Sequence, residues 1–339
     1  MKASSSHRDS FYYTGLFFLL VVALVCAFTS VFFGSRDIEP EVTWQALIQY
    51  SPQNSEHLIV HHLRLPRALL AIVVGLAIGG AGVLMQTLTR NPLAEPGLLG
   101  VNSGATLAVV IAIAFFGITD VHYYMWFSIL GAMLAGGIIY LLAGLNGGVN
   151  PVKVVLSGIA LSVILLSITQ IITVNSQEEA FNQFRHWVVG SLQGRGFDVL
   201  YPISGLVFLG LIYTMFLIRE LNTVSLGRDI SQSLGINHTS VWIRASLSIT
   251  VLAGAATAAS GPLSFVGLTA PHIARFWVGT EHKWLLPYSM MIAAVLVSIA
   301  DILGKVLVAP DEISVGIMTA LLGGPIFVIL VRRWRMTEL

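Results

Sequence analysis

The chain reads as an all-α polytopic membrane protein, and three observations say so. Its 339 residues are 55% hydrophobic and only 10% charged, where soluble domains carry roughly 25% charge. The mean hydropathy is +0.82. Apolar runs of about 17 to 25 residues, the length that crosses a bilayer, recur along nearly the whole chain. No charged tail or low-complexity tract is left over, so residues 1–339 are expected to form one membrane domain.

Ten spans are expected, at 14–33, 63–83, 98–117, 124–145, 153–174, 198–218, 240–259, 262–278, 285–307 and 314–331. The first is longer than the apolar core of a signal peptide and reads as a retained helix. It contains the single cysteine, Cys26, which permits no internal disulfide and reads as a packing residue. The second carries Gly75, Gly79, Gly80 and Gly82, and the fourth Gly131, Ala135, Gly136 and Gly137. Small residues let helices approach closely in lipid, which supplies no hydrophobic drive for association, so these are read as packing positions.

An even number of spans puts both termini on one side. Of the 18 Lys and Arg residues, Arg36, Arg64, Arg67, Arg185, Arg195 and Lys305 fall on the far side and the other twelve on the near side. The excess of positive charge places both termini in the cytoplasm. A net charge of +1, with basic residues scattered over loops, gives no case for nucleic acid.

Segments around residues 80 and 260, GLAIGGAGVLMQ and GAATAASGPLSFVG, echo one another: each is a small-residue helix leading to a loop with proline. They lie in spans two and seven, which run in opposite directions, as in the inverted repeats of transporters.

Five stretches carry candidate chemistry. Arg64 and Arg67 bracket a proline on the outer side, against the positive-inside tendency, which an acidic partner would explain because the guanidinium fork suits carboxylates. The loop from Gln86 to Asn102 is broken by Pro92 and Pro96, and fits either a plain cytoplasmic turn or the lining of a pathway. The long cytoplasmic loop 219–244 contains Leu226 to Gly235, which reads as a short helix with an exposed polar side and a capping glycine, the form a docking helix would take. His272 in the eighth span is a candidate for a proton or metal step, with a structural hydrogen bond the blander reading. Asp301 and Lys305 sit four residues apart, the helical spacing of an ion pair. Phosphate-loop, zinc-helix and nucleophile-elbow motifs are absent from the sequence, so no catalytic residue, metal site or cofactor is assigned.

Taken together the motifs resemble the FecCD-type permeases, membrane subunits of ATP-binding-cassette importers for iron-siderophores, haem and cobalamin. The resemblance runs from about residue 40 to 332 and rests on LRLPR at 63–67, GAGVLMQTLTRNPLAEPGLLGVNSGA at 80–105, NPVKVVLSGIAL at 150–161, GPLSFVGLTAPHIAR at 261–275, HKWLLP at 282–287, ADILGK at 300–305 and the final GGPIFVILVRR. The wording LMQTLTRNPLAEPGLLGVN is similar to ferric-enterobactin permeases. The resemblance implies a type II importer fold of ten helices, with spans two to five and seven to ten as inverted repeats. It also implies a second permease subunit, identical or sister, and a separate cytoplasmic ATPase dimer.

Residue by residue, it implies that Arg64, Arg67 and Lys305 receive a periplasmic siderophore-binding protein, with lysine here where relatives have arginine. Leu226, Gly227, Arg228, Leu234 and Gly235 would couple to the ATPase, and Val149 and Asn150 would fall at a cytoplasmic gate. The implied function is ferric-siderophore import across the inner membrane. The alternative is a proton- or sodium-coupled carrier using Asp301 or His272.

Overall fold

The computed structural model describes residues 2–143 and 150–333, and these are helical almost throughout. The ten expected spans correspond to α1 (Lys2–Phe32), α4 (Leu65–Thr89), α5 (Val101–Phe116), α6 (Val121–Ala143), α7 (Pro151–Val174), α9 (Phe197–Phe216), α12 (His238–Ser260), α13 (Val266–Val278), α14 (His282–Val306) and α15 (Val315–Arg333). Between them lie short helices: α2 (Pro40–Ile48), α3 (Ser55–Ile59), α8 (Glu178–Val188), α10 (Ile218–Ser225) and α11 (Arg228–Ser233). Among the described residues, seven helices are long and apolar enough to cross a membrane, and Val101–Phe116 and Val315–Ile329 are shorter apolar helices.

Two expectations at element boundaries are corrected. The second span does not begin at Leu63: the helix is continuous from Ser55 through a wide π turn at Val60–Arg64 into α4, 35 residues in all. Pro66, which has no N–H to donate within this continuous helix, closely follows the π turn, where the widened backbone leaves the regular bonding ladder. The eighth helix begins at Val266, not 262, because Gly261 and Phe265 both adopt positive φ (72° and 66°) and Pro262 lies between them. At 13 residues α13 rises only about 20 Å.

The main core cluster draws residues from α1, α4–α10 and α12–α15, and a second, smaller one joins the end of α1 to α2 and the start of α4. The axis of the main cluster is α4, with Leu70, Val74, Ala77, Ala81, Leu84 and Met85 fully enclosed and a partly exposed stripe at Leu65, Leu69, Ile72, Val73 and Leu76. Its glycines are packing positions: a methyl group on Gly75 would strike the backbone of Ala294 in α14, and one on Gly82 the carbonyl of Gly267 in α13. In contrast α7 exposes Val152, Leu156, Val163, Ile164 and Ile171, so it lies on the rim of the bundle.

The two echoing segments pack against each other, Gly82 and Ile78 against Gly267. Each also bonds to a residue beyond the other: Gln86 of α4 donates to the Leu268 carbonyl at 3.2 Å, and Thr257 of α12 donates to Asn102 at 2.9 Å. The connections that follow α4 and α12 meet there, with the partly buried Glu95 carboxyl accepting from the Phe265 backbone N–H. Burial pushes the Glu95 carboxyl above the usual carboxylate range, and that hydrogen bond only partly offsets the shift.

The bundle has two loop faces. At one, named here for Arg64, the end of α1 meets the starts of α4 and α15 and the end of α14. At the other, named for Arg90, the end of α4 meets α10 and the start of α14. The chain begins at the Arg90 face, where Asp9 lies 3.6 Å from Lys283.

Candidate functional site

At the Arg64 face the three cations expected to receive a partner are buried and bonded within the chain. Arg64, 5% exposed, caps α1: its guanidinium donates to the carbonyls of Val31 (3.2 Å) and Phe32 (3.1 Å) and to that of Arg36. Helix ends leave such carbonyls without partners, and a guanidinium with five donors satisfies several at once.

Arg67 finds the acidic partner that its position called for, but in its own chain. Its Nε and Nη2 both lie 2.9 Å from Asp301 Oδ1, and its Nη1 lies 2.7 Å from Glu312 Oε2. Lys305 Nζ approaches Asp301 Oδ2 to 2.7 Å, the expected ion pair, and donates to the Ser30 hydroxyl at 2.7 Å. Both oxygens of Asp301 are thus engaged, and its side chain is fully enclosed. The other carboxylate oxygen of Glu312, Oε1, accepts from the Ser35 backbone N–H, pinning the loop after α1.

Arg36, Arg64, Arg67, Gln193, Lys305 and Glu312 line one recess of about 280 Å³ on this face. Its four cations outnumber the carboxylates around them, Glu312, Asp301 behind it and Asp37 near Arg64, by one positive charge. Arg36 is exposed at the rim and is the cation that stands clear of the network.

At the Arg90 face the loop 219–244 is more structured than expected. α10 packs Leu221 and Val224 into the core, and Glu220 ties it to Arg244 of α12 at 2.6 Å. Two positive-φ glycines, Gly227 (121°) and Gly235 (80°), bound α11. The expected single helix over Leu226–Gly235 is therefore shortened to Arg228–Ser233. Its exposed side is also not simply polar. Leu226, Ile230 and Leu234, at four-residue spacing, are 59%, 50% and 63% exposed. The Arg228 side chain lies outside the described residues.

Of the gate pair, Val149 lies outside the described residues. Asn150 is the N-cap of α7, accepting from the backbone N–H of Val152 (3.0 Å) and Lys153 (3.4 Å). His272 is half-buried on α13, one turn before Arg275.

Sequence reasoning missed Glu312, whose pairing with Arg67 spans 245 residues and has no periodic signature. It also missed the stripe Leu226, Ile230, Leu234, although three apolar residues at helical spacing in a polar loop were there to be read.

A helical bundle with an apolar exterior, a cationic recess at one face and a projecting helix at the other defines a polytopic membrane permease. A model of the FecCD transport family matches residues 20–333. The Bacillus subtilis (strain 168) protein YfiZ, named as a probable siderophore transport system permease, is 39% identical over 94% of each chain. The ferric enterobactin transport system permease protein FepD of Escherichia coli (strain K12) is 38% identical, also over 94% of each. Among solved structures, one described as a metal-chelate type ABC transporter in an inward-facing conformation superposes with a TM-score of 0.82 at 28% identity, covering 95% of this chain and 100% of that one. The chain belongs to the FecCD transport family, and it is a permease of the ABC type.

Proposed function

We propose that the chain is the membrane-spanning subunit of an importer that carries a ferric siderophore across the bacterial inner membrane. The Arg90 face and both termini are cytoplasmic in this reading, in line with the excess of basic residues on that side. A separate ATPase dimer docks on α11 and hydrolyses ATP, while the permease itself performs no chemistry. A siderophore-binding protein docks over the recess at the Arg64 face. A second permease, identical or sister, completes the pathway, and residues 149–150 are assigned to its cytoplasmic gate.

The observation that carries this reading is the stripe of Leu226, Ile230 and Leu234. Ile230 on α11, with Leu226 and Leu234 flanking it, leaves three large apolar side chains uncovered by the core at the Arg90 face, and such a patch calls for a protein partner. The siderophore follows from the substrates named for the relatives above. Against the gradient-driven alternative, Asp301 is held by two cations that would both have to release it before it could carry a proton.

The test is whether detergent-solubilised permease retains a candidate ABC ATPase through gel filtration. Retention is expected; its absence, with both proteins folded, overturns the assignment of α11.

A further inference from the structure

Three stretches remote in the chain meet at the Arg90 face in one hydrogen-bonded knot. Asn222, on α10 just before α11, places Oδ1 3.0 Å from the backbone N–H of His282 and 2.7 Å from its ring Nδ1. An amide oxygen has no proton to give, so Nδ1–H donates and Nε2 is left as the acceptor. That Nε2 lies 2.7 Å from the hydroxyl of Thr87, near the end of α4, whose single proton is shared between Nε2 and the Val83 carbonyl 2.8 Å away. His282 is the first residue of α14 and only 3% exposed.

A second tie runs beside the first. Arg90, in the left-handed conformation that ends α4, donates to the Val224 carbonyl of α10 at 2.8 Å. Leu221 and Val224 fasten the underside of α10 into the core. The gap between these groups, walled by Thr87, Arg90, Ser225, Arg275 and His282, measures about 20 Å³. That is room for a single water, so the knot is a joint and not a ligand site.

The two helices it grips are the pair that Gly75 and Ala294 bring into backbone contact. They are also the pair joined at their far ends by Arg67, Asp301 and Lys305. α4 and α14 are therefore locked to each other at both faces, and α10 is fixed to both of them at one.

We propose that His282 is a positioning residue that makes the α10–α11 unit move with α4 and α14, so that motion of the ATPase is delivered to the two helices at the centre of the bundle. The proposal rests on the reading of α11 as the ATPase dock. Coupling of this kind passes through a contiguous set of bonded, packed groups, and here that set is Asn222, His282 and Thr87.

The experiment reconstitutes the permease, ATPase and binding protein in liposomes and measures ferric-siderophore uptake per ATP hydrolysed. For His282→Ala and for Asn222→Ala, the ATPase should stay bound and hydrolysis should stay within about twofold of normal, while uptake per ATP falls by about tenfold. Asn222→Asp, whose carboxylate can accept both bonds, should restore the ratio. If His282→Ala does not accumulate, the Asn222 pair carries the test alone. An unchanged ratio in Asn222→Ala overturns the proposal. So does loss of the ATPase from that variant, because the knot would then belong to the dock. If the unaltered permease fails to bind the ATPase, the dock reading fails instead.

Discussion

Arg67 and Asp301 stand 234 residues apart in the chain and are joined by two nitrogen–oxygen contacts of 2.9 Å. With Lys305 on the other carboxylate oxygen and Glu312 on the other side of the guanidinium, the charges balance in a largely buried site whose outer edge, at Arg67 and Glu312, borders the recess. Breaking a buried pair by removing one partner costs about 3–5 kcal/mol, because the remaining charge is left uncompensated. Asp301→Asn is therefore expected to lower the thermal unfolding temperature of the solubilised permease sharply. Glu312→Gln, which leaves Arg67 its main partner, should have a much smaller effect. Equal, slight effects would show that the network contributes little.

The same network changes which residue tests docking at the Arg64 face. Reversing Arg64 or Arg67 would disturb the fold, since both are enclosed. Arg36 is exposed at the rim of the recess. Arg36→Glu removes the recess's excess positive charge and should slow binding-protein association by about tenfold at low salt, with the difference shrinking as salt rises. Unfolding temperature should not change. Association kinetics on immobilised permease give the answer, and an unaltered rate would remove the recess from the docking surface.

On the opposite face, Ile230→Asp places a charge in the centre of the exposed stripe. Central apolar anchors commonly account for about 2 kcal/mol or more of an interface, so ATPase affinity should fall by about thirtyfold. The side chain is half exposed, so permease yield should hold. Titration of labelled ATPase against solubilised permease measures this.

Glu95 supplies a dependence on pH. Its carboxyl is held above the ordinary carboxylate range by burial, so the folded permease binds this proton more tightly than the unfolded chain does. Stability from this group is present at low pH and is lost as pH rises from the unfolded carboxylate value through the raised folded one. Glu95→Gln cannot ionise, so it should flatten that decline and unfold at a higher temperature than the parent at neutral pH. Parallel melting curves for the two proteins across the acid range would exclude the raised value.

Much of this architecture was legible because hydropathy and small-residue spacing are local signals. Gly75 and Gly82 announced close helix contacts, and Asp301 with Lys305 announced an ion pair, before their partners were known. The partners themselves were not legible. Arg67 needs Glu312, and His282 needs Asn222 from 60 residues away. Such pairings are fixed by where helix ends come to rest and leave no period in the sequence. The expected eighth span, 262–278, exceeds α13 for a different reason: apolar residues continue through Leu263 and Phe265, but positive φ at Gly261 and Phe265 turns the backbone out of helix.

The central claim is that ATP hydrolysis on a partner, not an ion gradient, drives siderophore entry through this permease. Uptake of radiolabelled ferric siderophore into liposomes containing permease and ATPase, supplied with loaded binding protein, measures it directly. The account predicts uptake that requires ATP and persists when the proton and sodium gradients are collapsed. Uptake that continues without ATP and stops when a gradient is dissipated would contradict it.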